Sequence, residues 1–127
     1  MGQDYNTNQP IYLQIVRRLC RQVVRGELKG GDKLASVREL AVQSGVNPNT
    51  VQRVYAELER LGIAETRRGL GTFIKDNELR LRQLREDLKS EQIDSFIADM
   101  KEMGFSPEEI VEGVSRGLAS IKNGGKI

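Results

Sequence analysis

Asn47, Asn49, Thr50 and Arg53 fall in one short run, NPNTVQR, which offers amide and hydroxyl groups followed by a single long cation. Side chains of these types at a helix start suit recognition of base edges and phosphates. Arginine bridges guanine O6 and N7, asparagine pairs with adenine, and threonine donates to phosphate or touches a thymine methyl. Each residue also has a plainer use. Asn47, ahead of Pro48, is a helix cap before it is a base reader. Asn49 and Thr50 fit either phosphate contact or the ordinary opening of a helix. Arg53 faces away from the apolar positions Val51, Val54 and Leu58 and is assigned to nucleic-acid contact.

A second group flanks this run. Ser36 is followed three residues later by Glu39, a capping box that starts a helix and leaves a hydroxyl and free N–H groups where a phosphate could sit. Arg38, in the first turn of that helix, reaches either a nucleic-acid backbone or only solvent and a nearby Glu. Further on, Arg67 and Arg68 are consecutive and point to opposite faces of an extended segment, so one of them, with Arg68 favoured, meets the polyanion. Gly69 and Gly71 permit a tight turn and close backbone approach. Thr72, at the start of the following strand, completes the candidate set.

Other chemistries lack their residues. The chain has no histidine and one cysteine, Cys20, so a histidine base, a Cys-His nucleophile pair, a zinc site and an intrachain disulfide are all excluded. Cys20 lies among Val16, Leu19, Val23 and Val24 and reads as a small buried apolar residue. The glycines at 69 and 71 precede no helix and match no nucleotide fingerprint. Neither cofactor nor metal is expected, and an enzyme is not.

The elements that must position these side chains follow from periodicity. Ile11, Ile15, Leu19 and Val23 form the stripe of a first helix from Pro10, placed in its first turn, to about Arg25. After a Gly30-Gly31 turn, Leu34 is a candidate strand start. A short helix runs from the Ser36 cap to Ser44, where Gly45 stops it, and a third begins at Asn47 and closes at Gly62. Two helices joined by a tight glycine turn make a helix-turn-helix. The period then changes to two: residues 63–67 and 72–75 are expected strands of a hairpin, a wing. From Leu79 to Met103 a long helix is expected, interrupted by the polar stretch Lys89 to Gln92. Ser106-Pro107-Glu108-Glu109 opens a final helix with Ile110, Val111, Val114, Leu118 and Ile121 on its stripe, and the tail NGGKI is expected to fray. The predicted fold is therefore mainly α with a small β-hairpin wing, a winged helix-turn-helix over 1–75 followed by a two-helix appendage over 76–127.

Charge divides along the same boundary. Residues 1–75 carry a net +5 and residues 76–127 a net −3, which gives the overall +2. A basic front half suits a polyanion and an acidic rear half suits something else. The polar N-terminus MGQDYNTNQP contains no apolar core, and no stretch is long and apolar enough to cross a bilayer, so a cytoplasmic protein without membrane contact is expected.

Taken in order, SVRELA, VNPNTVQRVYAELERLGI and RRGLGTFI resemble the GntR family of bacterial transcription regulators, and YLQIVRRLCRQVVRGELKGGDKL resembles its first helix and connection. The resemblance spans residues 8–75. It implies contacts to double-stranded DNA from Arg38, Thr50, Arg53, Arg68 and Gly69. Two positions depart from the family pattern: Ala35 stands where a proline is usual before the second helix, and Leu70 occupies a wing tip that often carries a basic residue. The short helical rear half is similar to that of YtrA-like members, where it is a dimerisation appendage. Leu84, Leu88, Phe96, Ile97, Met100, Val111, Val114 and Leu118 are the candidate dimer residues, since two helices cannot cover this much apolar surface by themselves. The implied function is a homodimeric, sequence-specific regulator, a repressor, on a palindromic operator. The alternative is a winged-helix protein-interaction module whose basic face is incidental. So small an appendage leaves little room for an effector cavity within one chain, and a pocket between protomers stays open.

Overall fold

The structure is a computed structural model and describes residues 8–122. Five helices and one hairpin follow in the order α1 (Ile11–Val24), α2 (Val37–Ser44), α3 (Pro48–Arg60), β1 (Ala64–Arg67), β2 (Gly71–Ile74), α4 (Glu78–Glu102) and α5 (Pro107–Lys122). This is the mainly α winged helix-turn-helix expected from the sequence. The chain forms two compact units, Met1–Glu86 and Asp87–Ile127.

In the first unit the apolar stripes of α1 and α3 meet. Ile15, Val51, Val54, Leu58, Ile63 and Ile74 are closed to water, with Val16, Leu19, Cys20, Leu34, Leu40 and Ala41 around them. Each large aliphatic side chain so buried contributes about 1.5–3 kcal/mol. Cys20 is a buried thiol that takes part in no disulfide among the described residues, as its apolar neighbours predict. Pro10 sits at the N-cap of α1 rather than inside its first turn, and its carbonyl accepts from Leu13 and Gln14.

β1 and β2 pair antiparallel with Ala64 opposite Ile74 and Arg67 opposite Gly71. β1 starts one residue later than the alternation suggests and ends at Arg67 as expected, while β2 begins and ends one residue earlier. Leu34 does not open a strand of its own; the segment before α2 lies against β2 instead, through a bridge between Lys33 and Phe73 and a 2.8 Å bond from Leu34 N–H to the Thr72 carbonyl.

The first unit extends beyond the wing into α4. The Arg80 guanidinium donates to the Leu61 carbonyl at 2.7 Å, Arg85 donates to the Val24 carbonyl at 2.9 Å, and Leu84 is only 5% exposed. The boundary therefore falls after Glu86 rather than after Lys75. Leu84 is correspondingly removed from the dimer set, because its side chain is already spent inside its own protomer.

α4 is one continuous helix, as expected, and runs through the polar stretch Lys89 to Gln92. Lys, Ser, Glu and Gln there are compatible with helix, and polarity without Gly or Pro does not break one. In the second unit α5 starts on the predicted capping box: the Ser106 hydroxyl accepts from Glu109 N–H at 3.1 Å while Ser106 N–H donates to the Glu109 carboxylate at 2.8 Å. Ile110 is buried, but Phe96 (39% exposed), Val111 (66%), Val114 and Leu118 (61%) are open to solvent, and Leu88, Ile97 and Met100 are half-buried. The tail NGGKI lies outside the described residues. Among those described, no helix is long and apolar enough to cross a membrane.

Candidate nucleic-acid interface

Local rules place α2 and α3. At the start of α2 the Ser36 hydroxyl accepts from Glu39 N–H at 3.1 Å and Ser36 N–H donates to the Glu39 carboxylate at 2.9 Å, the reciprocal pair that S-x-x-E predicts. Those bonds, with Lys33 nearby, hold the Glu39 carboxyl below the usual carboxylate range. The helix ends because Gly45 adopts φ 68°, a left-handed conformation that a residue with a Cβ reaches only under strain. α3 then starts on the Asn47 side chain, which accepts from Asn49 N–H at 2.7 Å, with Pro48 at the first helical position. The structure thus uses Asn47 as the cap.

A long-range bond fixes the approach to α2. The Tyr55 hydroxyl, on α3, donates to the Ala35 carbonyl at 2.5 Å. It ties the residue before the Ser36 cap to the helix that the cap faces, and so supplies a restraint where the family pattern has proline. Burial, with Glu39 nearby, pushes the Tyr55 phenol up to about 12. At the other end of α2, Arg18 of α1 donates to the fully buried Ser44 hydroxyl at 2.7 Å. α2 is therefore fastened at both ends.

Asn49 and Arg53 are exposed on α3 and Thr50 is half-buried, while Val51, Val54, Tyr55 and Leu58 face the core. The Arg53 guanidinium lies 4.0 Å from the centre of the Tyr12 ring, so α1 supplies an aromatic platform for it. Arg38 is exposed and makes no hydrogen bond or ion pair among the described residues.

The two wing arginines differ. Arg67 stacks 4.3 Å from the centre of the Phe73 ring and pairs with Glu65 at 2.9 Å, so the hairpin itself holds it. Arg68 is exposed and without such partners among the described residues. Gly69 occupies open space at φ 79°. At Gly71 a Cβ would come within 2.9 Å of the Lys33 side chain. The Lys33 side chain therefore reaches along β2 toward the turn of the wing, next to the half-buried Thr72. The wing is also tied to α3, since Thr66 N–H donates to the Glu59 carboxylate at 3.1 Å.

Sequence reasoning missed Tyr12, Lys33 and the Tyr55 bond. All three act over long separations along the chain. A detectable signal existed only for Lys33, a cation just ahead of a capping box. No cluster of metal-ligating side chains occurs among the described residues.

Comparison with known proteins agrees with this architecture. The profile for bacterial regulatory proteins of the gntR family matches residues 11–74. The HTH-type transcriptional regulator YhcF of Bacillus subtilis is 49% identical over 114 residues, which cover 90% of this chain and 94% of that protein. The HTH-type transcriptional repressor YtrA of the same organism is 40% identical over 124 residues, covering 97% and 95%. Among solved structures, a GntR family transcriptional regulator from Listeria monocytogenes superposes with a TM-score of 0.82 at 40% identity, covering 88% of this chain and 98% of the other. These relatives regulate transcription and are not enzymes. The chain belongs to the GntR family and is a winged helix-turn-helix transcription regulator of the YtrA type.

Proposed function

We propose that the protein is a homodimeric repressor in the cytoplasm that binds a palindromic operator in double-stranded DNA through two copies of α3. The observation that carries this reading is the exposed side of α3, where Asn49 and Arg53 project from a helix whose other side is locked into the core. In a helix-turn-helix the second helix enters the major groove with its N-terminal turns nearest the bases. Arg53 is assigned to a base, and Asn49 and Thr50 to phosphate or a base edge. Arg38, Arg68, the backbone at Gly69 and Gly71, and Thr72 are assigned to the DNA backbone. Ser36 and Asn47 hold the helix starts and offer a hydroxyl and an amide to phosphate. Arg67 takes a lesser part, because Glu65 and Phe73 hold it.

The dimer is supported by the apolar side chains that the second unit leaves open, among them Phe96, Val111, Val114 and Leu118, with Leu88, Ile97 and Met100 half-buried beside them. A second copy supplies the missing cover and sets two α3 helices at symmetric half-sites. Repression is supported by the name of YtrA, which matches nearly the whole chain.

Selection of bound genomic fragments followed by footprinting tests the reading. The expected result is an inverted repeat with half-sites one helical turn or a multiple apart, bound with an affinity that falls steeply with salt, about 0.9 in log–log slope for each neutralised phosphate. Recovery of fragments without a shared motif, or a flat salt response, rejects it.

A further inference from the structure

The outward side of α1 has no role in this reading, yet it gathers four arginines. Arg17, Arg18, Arg21 and Arg25, with Gln9 and Gln14, line an open cleft of about 350 Å³. Between Gln9 and Arg25 the chain contains no acidic residue. Glu27 pairs with Arg25 at 2.7 Å, but the Arg21 side chain makes no hydrogen bond or ion pair among the described residues. Guanidinium groups gathered on one helix face repel one another, and a bound polyanion reverses the sign of that interaction.

Two features argue for a small ligand rather than operator DNA. The opposite side of α1, with Ile15, Val16, Leu19, Cys20 and Val23, is buried and packs on α3, so the cleft is turned away from the reading helix. The cleft volume also lies in the range of small-molecule sites, about 300–1,000 Å³. Planar guanidinium forks match phosphate oxygens two at a time.

We propose that this cleft is an effector site for a small polyphosphorylated anion, and that Arg18 couples it to α3. The Arg18 guanidinium donates to Ser44, the last residue of α2. Only Gly45 and Val46 separate Ser44 from Asn47, the cap of α3. A phosphate that draws Arg18 outward takes this bond from the helix-turn-helix and loosens the seat of α3. Ligand and operator then oppose each other, each weakening the other by the same factor. The coupling rests on the operator reading above, whereas the binding site does not.

The test uses the full chain and inorganic triphosphate, titrated by calorimetry against sodium sulfate at matched ionic strength. Saturable binding of one triphosphate per chain is expected, weaker by about tenfold or more in Arg21→Ala. Triphosphate should weaken operator binding by the wild type by about tenfold, with no effect on Arg21→Ala, whose operator affinity alone matches the wild type. Ser44→Ala should bind triphosphate normally and fail to transmit it. Heats no greater than those of sulfate overturn the site. Equal competition in wild type and Arg21→Ala overturns it too, by making triphosphate a general anion competitor. Loss of operator affinity in Arg21→Ala without triphosphate assigns the arginines to DNA phosphates instead, and full transmission by Ser44→Ala overturns the Arg18 route. If no form binds operator DNA, the calorimetric arm still decides the site, and the failure belongs to the operator reading.

Discussion

In the first unit Ile15, Val51, Val54, Leu58, Ile63 and Ile74 are sealed from water, whereas among the described residues of the second unit only Ile110 is buried and Phe96, Val111, Val114, Leu118 and Ile121 stay open. Both halves carry amphipathic helices, so periodicity alone does not separate them. The difference lies in what each stripe meets. α1, α3 and the hairpin converge from several directions and close a core, whereas α4 and α5 touch each other little and leave most of the α5 stripe uncovered. On the proposed reading a second copy covers what the second unit leaves open, and the first unit needs no such cover.

Substitutions on either side test this contrast. The largest effect is expected in the closed core. Leu58→Ala should lower the stability of the first unit by about 2–5 kcal/mol, independently of protein concentration, as read from urea unfolding. A concentration-dependent loss would mean that the first unit too relies on a second copy. In the open unit, Leu118→Glu should leave that core unfolding unchanged but weaken self-association by about 2 kcal/mol or more. Sedimentation equilibrium would show it as a shift to monomer, and an undisturbed dimer would place the interface elsewhere. Arg53→Ala should cost about 1–3 kcal/mol of operator binding, confined to one base position. Competition among operators substituted at each position reads this, and a uniform loss would reassign Arg53 to phosphate.

The smallest effect concerns Tyr55. A phenol whose pKa rises on folding, here from 10.0 to about 12, holds its proton more tightly in the native state. Its contribution is therefore present in full below about pH 10 and is lost as pH rises through about 12. Removing the hydroxyl in Tyr55→Phe should cost about 1 kcal/mol at neutral pH and flatten the alkaline decline in stability. An unchanged decline would show that other groups titrate there.

What could be read from sequence was local. Ser36 with Glu39, Asn47 with Pro48, Gly45 and Ser106 with Glu109 each mark a helix end through bonds made within a few residues, and the observed ends follow them. α4 was legible as one helix despite the polar stretch Lys89 to Gln92, because such a stretch interrupts a stripe without interrupting a helix. Leu84 was assigned to a partner because its side chain looks the same whether another protomer covers it or its own does. The geometry around the reading helix was hidden for a related reason. Tyr12 beneath Arg53, Tyr55 on Ala35 and Arg18 on Ser44 join residues 20 to 41 positions apart. Such pairs exist only once the core has set α1 and α3 side by side.

The stacking of Arg53 on Tyr12 also has a spectroscopic side. The protein contains no tryptophan, so its near-ultraviolet emission comes from three tyrosines. Tyr55 is held in the core, whereas Tyr12 carries the Arg53 guanidinium at van der Waals range. Withdrawal of that cation toward a guanine changes the electronic surroundings of a ring that no other fluorophore outshines. The molecule thus contains an unlabelled optical readout placed directly under the side chain assigned to read DNA.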